Sequence, residues 1–204
     1  MHSLGTGMAK KFEIFGHFYE RSGLKCRRYL DIQRVGADLR EPDLMVVMMN
    51  PGSSCPLDGI SNNTAPTEAR PDPTQNQIME VMNNAGFDFA RVLNLSDVRQ
   101  PSSSEFYKFL KSSEASSITH SIFHQAREEE FSTLFRQGVP VIYGWGVNSN
   151  LERLAKEAIH RISEENPIGI RKNGVEWAYY HPRPRIHTKQ TEWVNAVSSL
   201  LSNA

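Results

Sequence analysis

The stretch Leu44-Met45-Val46-Val47-Met48-Met49-Asn50-Pro51-Gly52-Ser53 decides how this chain folds. Six large apolar residues in unbroken succession suit a strand buried on both faces, the kind found in the middle of a parallel sheet. The run stops abruptly at an amide, a proline and a glycine. Proline presets the first residue of a turn and glycine tolerates positive φ at the second, so by itself Asn50-Pro51-Gly52 is an ordinary turn sequence.

On the C-terminal side, residues 51–73 are rich in Pro, Gly, Ser, Asn and Asp and read as a long loop, which compact domains keep mainly for binding or catalysis. Asp72-Pro73-Thr74-Gln75 then carries a capping box with proline at the first helical position, and Gly86 closes that helix. Ile78, Met79, Met82 and Ala85 form its buried stripe. A strand follows at 89–95, a helix from Ser102 or Ser103, a helix over 123–136 and a strand over 139–143. Ser149-Asn150-Leu151-Glu152 has the pattern of a second capping box, opening the most regularly amphipathic helix of the chain. A fourth strand is expected over 175–180, and a closing helix from Thr188 or Thr191.

On the N-terminal side, segments 11–20 and 24–35 flank Arg21-Ser22-Gly23 and predict a β-hairpin leading into the domain. Residues 1–10 are small, polar and glycine-bearing, and are read as a disordered or non-native segment. Residues 11–204 are then one α/β domain, a size that suits a single core. Strands alternating with helices predict a three-layer α/β/α architecture around a central, mostly parallel four-stranded sheet. Ligands of such sheets bind beyond the carboxyl ends of the strands.

Composition narrows the partners. Lys plus Arg total 23 and Asp plus Glu total 23, so no global field announces nucleic acid or membrane. Two cysteines are too few for a four-thiolate cluster or a disulfide framework, and point to a reducing cytoplasm. No apolar run reaches the length of a membrane span. No nucleophile elbow, P-loop or dinucleotide fingerprint occurs.

The expected strand ends present Asn50-Pro51-Gly52, Asn94, Gly144-Trp145-Gly146 and His181-Pro182-Arg183-Pro184-Arg185. Taken singly, Asn94 is a residue that satisfies neighbouring backbone, Gly144-Trp145-Gly146 a tight passage from strand to helix, and His181 a loop histidine. Together they place two amides and a histidine at one crevice, without a carboxylate pair or a metal cluster.

These segments resemble the uracil-DNA glycosylase superfamily. Its mismatch-specific and single-strand-selective branches carry G-x-N-P-G after the first core strand, similar to Met48-Met49-Asn50-Pro51-Gly52. The latter branch carries H-P-S-P-R after the last, similar to His181-Pro182-Arg183-Pro184-Arg185. Val92-Leu93-Asn94-Leu95-Ser96-Asp97-Val98-Arg99 and Val141-Ile142-Tyr143-Gly144-Trp145-Gly146 are similar to two further segments of the superfamily, in the same order. The layout of 27–35, Asn50-Pro51, Asp72-Pro73-Thr74 and 92–95 is closer still to the uncharacterised bacterial and phage family called domain of unknown function 1643.

The glycosylase resemblance implies a DNA-repair hydrolase of N-glycosidic bonds that needs no metal and no cofactor. Asn50 and His181 would be catalytic, the amide orienting water and the imidazole donating to the charge that develops on the departing pyrimidine. Asn94 would read an extruded base, accepting from uracil N3–H and donating to O4, a pattern that cytosine reverses. Gly52, Arg183 and Arg185 complete the substrate-binding set, and the basic loop 181–189 would meet DNA phosphates. Two other outcomes stay open: a nucleobase- or nucleotide-binding module without hydrolysis, and an enzyme of free nucleosides. The sequence departs from the superfamily in having no stacking aromatic over 53–60 and Arg183 where serine is usual. Tyr107, Trp145 and Trp177 are the aromatic candidates from elsewhere.

Overall fold

In the computed structural model, which describes residues 11–61, 64–164 and 166–203, the apolar run becomes the strand β3, Leu44–Met48, with every residue buried. It has company on both sides. With β1 as Phe12–Arg21, β2 as Leu24–Arg34, β4 as Thr67–Glu68, β5 as Phe89–Asn94 and β6 as Val141–Tyr143, the sheet order is β4-β1-β2-β5-β3-β6. Strand β3 pairs in parallel with β5 and with β6. Its side chains alternate: Met45 and Val47 enter one apolar cluster, Leu44, Val46 and Met48 the other.

Helices cover both faces. Helix α1, Pro73–Ala85, and the long C-terminal helix His187–Ser202 bring Ile78, Met79, Trp193 and Val197 to the Leu44 face. The opposite face receives Phe106 from α2, Ser103–Leu110, with Phe131 and Leu154 from helices further along. After α3, Ser113–Ser117, Phe131 comes from α4, Glu128–Leu134, and Leu154 from α5, Glu152–Ile162; the C-terminal helix is therefore α6.

The capping box at α1 forms as read. Asp72 Oδ1 accepts from the N–H groups of Thr74 (2.8 Å) and Gln75 (3.0 Å), while Gln75 Oε1 accepts from the Asp72 N–H at 3.0 Å. The second box does not: Asn148 caps a 3₁₀ turn over Ser149–Leu151, and α5 follows it without a side-chain cap. The helix expected over 123–136 is shorter, a 3₁₀ turn at Gln125–Arg127 running into α4.

The sheet corrects the expected mostly parallel, four-stranded one. It is six-stranded and mixed, and three of its five pairings are antiparallel. The hairpin is no appendage, because β2 has apolar side chains on both faces and buries them by pairing along β5. The expected fourth strand over 175–180 does not form. Gly169 packs so close to Tyr143 that a Cβ would sit 2.6 Å from its carbonyl oxygen, and the segment's ladder pairing with β6 and its loop is limited to isolated bridges at Ile168 and Tyr179. This irregular cover protects the open edge of β6. The loop over 51–73 also yields a two-residue strand, β4, which pairs with Phe15 and Gly16 of β1. Residues 1–10 lie outside the described residues.

Candidate functional site: a buried polar cavity at the strand ends

A cavity of about 400 Å³ opens beyond the carboxyl ends of β3, β5 and β6, where the crossover rule locates it. That volume lies in the range of small-molecule sites. Asn50, Gly52, Asn94, His181 and Arg183, which lie up to 133 residues apart in sequence, all line it. Arg185 does not; it lines a neighbouring cavity of about 770 Å³ that shares Tyr107, Gly146 and His181 with the first.

Asn50 is held by its nitrogen. Nδ2 donates to the carbonyl oxygens of Gln100 (2.8 Å) and Val98 (3.2 Å), which leaves Oδ1 as the acceptor offered to the cavity. Those carbonyls are themselves anchored. Asp97, fully buried, accepts from Tyr19 Oη at 2.6 Å and Arg127 Nη1 at 2.7 Å, and His120 Nδ1 lies 2.9 Å from Ser96 Oγ. The turn after Asn50 also forms: Ser54 N–H donates to the Pro51 carbonyl at 3.2 Å, and Gly52 has φ of 60°.

His181 has one defined tautomer. The Arg183 N–H donates to its Nδ1 at 3.1 Å, so the ring proton sits on Nε2. Burial pushes its pKa down to about 4, and the ring is neutral at physiological pH. It therefore works as a neutral donor, with an edge still open to the cavity. Pro182 positions it by packing on Gly144, where a Cβ would lie 3.1 Å from Pro182 Cδ and 3.3 Å from Met48 Sδ.

Asn94 ends β5 with no exposed surface, and neither Oδ1 nor Nδ2 has a hydrogen-bond partner. A buried amide with both ends unmade costs about 1–3 kcal/mol per group. Buried polar groups are nearly always satisfied, so an orphaned pair on a cavity wall marks a place where something else supplies the partners.

Of the three aromatic candidates, two reach the cavity wall. Tyr107, one turn into α2, brings the aromatic surface that 53–60 lacks. Trp145 also reaches the wall, but its indole N–H is spent on the Trp177 carbonyl at 2.8 Å, and Trp177 itself belongs to the core. A lining residue that was not legible as a site residue is Arg27, 3% exposed, whose Nε and Nη1 have no hydrogen-bond partner. Nothing in the sequence singles it out, because it is one of several charges in β2 with Lys25, Arg28, Asp31 and Arg34.

Strict alternation would place Arg27 beside Tyr29 and Asp31, away from α1. The register shows otherwise: Gly16 pairs with Leu30 and Phe18 with Arg27, so two steps along β1 match three along β2. This bulge shifts the alternation and turns Arg27 onto the face of Phe18, Gln75 and Ile78, into the cavity. Among the described residues no group of three His, Cys, Asp or Glu side chains could hold a metal ion, and no helix is long and apolar enough to cross a membrane.

Fold and site together define a mixed α/β protein with a ligand-sized, amide- and arginine-lined cavity at its strand ends. The chain belongs to the family described as Protein of unknown function (DUF1643), whose model matches residues 28–182, a span that takes in every lining residue named above except Arg27 and Arg183. No curated protein and no solved structure matched it.

Proposed function

We propose that the cavity binds a nucleobase extruded from nucleic acid and that the protein hydrolyses the N-glycosidic bond of that nucleotide. The observation that carries the reading is Asn94, a fully buried amide whose donor and acceptor are both unpaired on the cavity wall. A pyrimidine edge offering one N–H and one carbonyl satisfies both ends at once, and a base with the reversed pattern leaves both unmade. Tyr107 supplies a stacking surface.

The chemistry needs little from the chain. Asn50 Oδ1 accepts from a water and aims its oxygen at C1′; the C1′–N bond breaks, its electron pair leaves with the base, and the water oxygen bonds to C1′. One water proton remains on the sugar as hydroxyl and the other ends on the base. His181 Nε2–H donates to the base oxygen as charge develops there, which is where fixed donors contribute most. The similarity of four ordered segments to the glycosylase superfamily supports the same reading.

The test is base release from single- and double-stranded oligonucleotides carrying uracil or modified bases. Asn50→Ala and His181→Ala are expected to slow release about 100-fold or more. Absence of release from every substrate, or release that survives Asn50→Ala, overturns hydrolysis.

A further inference from the structure

We propose that Arg27 gives this cavity an anion subsite, so that it takes a phosphate-bearing nucleotide and not a bare base or nucleoside. The proposal rests on the base-binding reading above and extends it to the part of the ligand that Asn94 does not touch. A guanidinium is the least affordable group to bury alone, because desolvation of a charge is repaid only by a counter-charge with good geometry. Arg27 has neither: it is buried, makes no ion pair among the described residues, and leaves Nε and Nη1 without acceptors. Burial pushes its pKa down to about 10, so it remains a cation at neutral pH.

The two carboxylates that act on Arg27 do not answer it: Asp97 is committed to Tyr19 and Arg127, and Asp72, on the cavity wall, to its own helix. Asp72 has its Oδ1 committed to the first N–H groups of α1, and its Oδ2 lies 3.4 Å from Gln75 Nε2. Arg99, half-buried, adds positive charge nearby, and its Nε is likewise unpaired. Arg183 adds a third cation at the rim. The local balance is an excess of positive charge inside a molecule of zero net charge. A planar guanidinium with two free N–H groups on adjacent nitrogens matches two oxygens of a phosphate, and such charge-assisted pairs are the strong ones.

The source of the phosphate is either a free nucleotide or the backbone of a strand, and both present the same chemistry. Isothermal titration of the wild-type protein with uracil, uridine, uridine 5′-monophosphate, a uracil-containing oligonucleotide and inorganic phosphate separates the cases. The expected result is tighter binding of the monophosphate, the oligonucleotide or both than of uridine, by at least about tenfold. That gap should collapse in Arg27→Gln and be partly kept in Arg27→Lys, whereas Asn94→Ala should weaken uridine and the phosphorylated ligands alike and preserve the gap. The monophosphate winning over the oligonucleotide assigns a free nucleotide, and the reverse assigns a strand.

Equal affinity for uridine and both phosphorylated ligands in the wild type overturns the anion subsite and leaves base binding standing if Asn94→Ala still weakens uridine. Phosphate binding that depends on Arg27 without any uridine binding keeps the subsite and removes the base reading. Binding of none of the five removes both. Circular dichroism checks the variants, and if Arg27→Gln does not fold, the wild-type series and Arg27→Lys decide the matter.

Discussion

Asn94 shows how much a single side chain can say when its surroundings fail it. A structural asparagine at a strand end would bond to neighbouring backbone, and its truncation would leave that backbone unpaired. Here no such bond exists, so Asn94→Ala removes a desolvated amide without orphaning a partner. Its stability cost should stay under about 1 kcal/mol by urea unfolding, while ligand binding is weakened; a loss above about 2 kcal/mol would show that the amide has a structural partner. The histidines make a second residue-scale expectation. His181 and His120 both have pKa values pushed down to about 4 by burial, against an ordinary 6.5. The unfolded chain therefore takes up protons between pH 6.5 and 4 that the folded chain refuses, and stability falls as pH drops through that window. The slope approaches about 1.4 kcal/mol per pH unit for each histidine, with His120 giving the larger share because His181 keeps an edge open to solvent. Urea unfolding at pH 7 and pH 5 should show the drop, and His120→Asn should flatten it. For the same reason base release should show no inflexion near pH 6.5.

At the scale of elements, the site depends on small registrations between segments that are far apart in sequence. Gly144 admits Pro182 onto the end of β6, and that contact holds His181 over the cavity. A methyl at Gly144 would meet Pro182 Cδ at 3.1 Å, so the 181–183 segment has to move by a few tenths of an ångström. Gly144→Ala should therefore reduce base release by about 10-fold, less than the roughly 100-fold that a full 1 Å displacement can cost. Its thermal midpoint should fall by only a few degrees, as for a loss of about 1 kcal/mol; an unchanged release rate would show that the Pro182 contact does not position His181. The bulge in β2 is the counterpart device, and it is the reason Arg27 was not legible. Alternation in Cys26-Arg27-Arg28-Tyr29-Leu30 assigns faces correctly only while one residue of β2 meets one of β1, and the sequence carries no mark of where that stops. The α1 capping box, by contrast, was legible because all its partners lie within four residues.

The molecule as a whole has balanced charge, so the proposed nucleic-acid contact falls to a local run, Arg183, Arg185 and Lys189. Lys189 is partly engaged already, with Nζ 2.6 Å from Glu192 Oε2. About two or three phosphates are then neutralised on binding, which predicts a shallow salt dependence, a log–log slope of roughly −2 to −3 on duplex DNA. Arg185→Ala should lower its magnitude by about one, measured by fluorescence anisotropy across a salt series; a slope far steeper would call for a basic surface elsewhere.

By itself the sequence determined the local pieces: the doubly buried strand at 44–48, the turn at Asn50-Pro51-Gly52, the cap at Asp72 and the polar residues at the strand ends. Periodicity, turn chemistry and capping act over a few residues, so a linear reading contains them. Only the tertiary structure decided that the hairpin joins the sheet and turns it mixed, that 175–180 is irregular cover and no strand, that Tyr107 supplies an aromatic wall, and that Arg27 points inward. Those outcomes depend on which edges pair, where a register slips and which helix reaches the crevice. They are set by packing between segments whose separation along the chain carries no local signature.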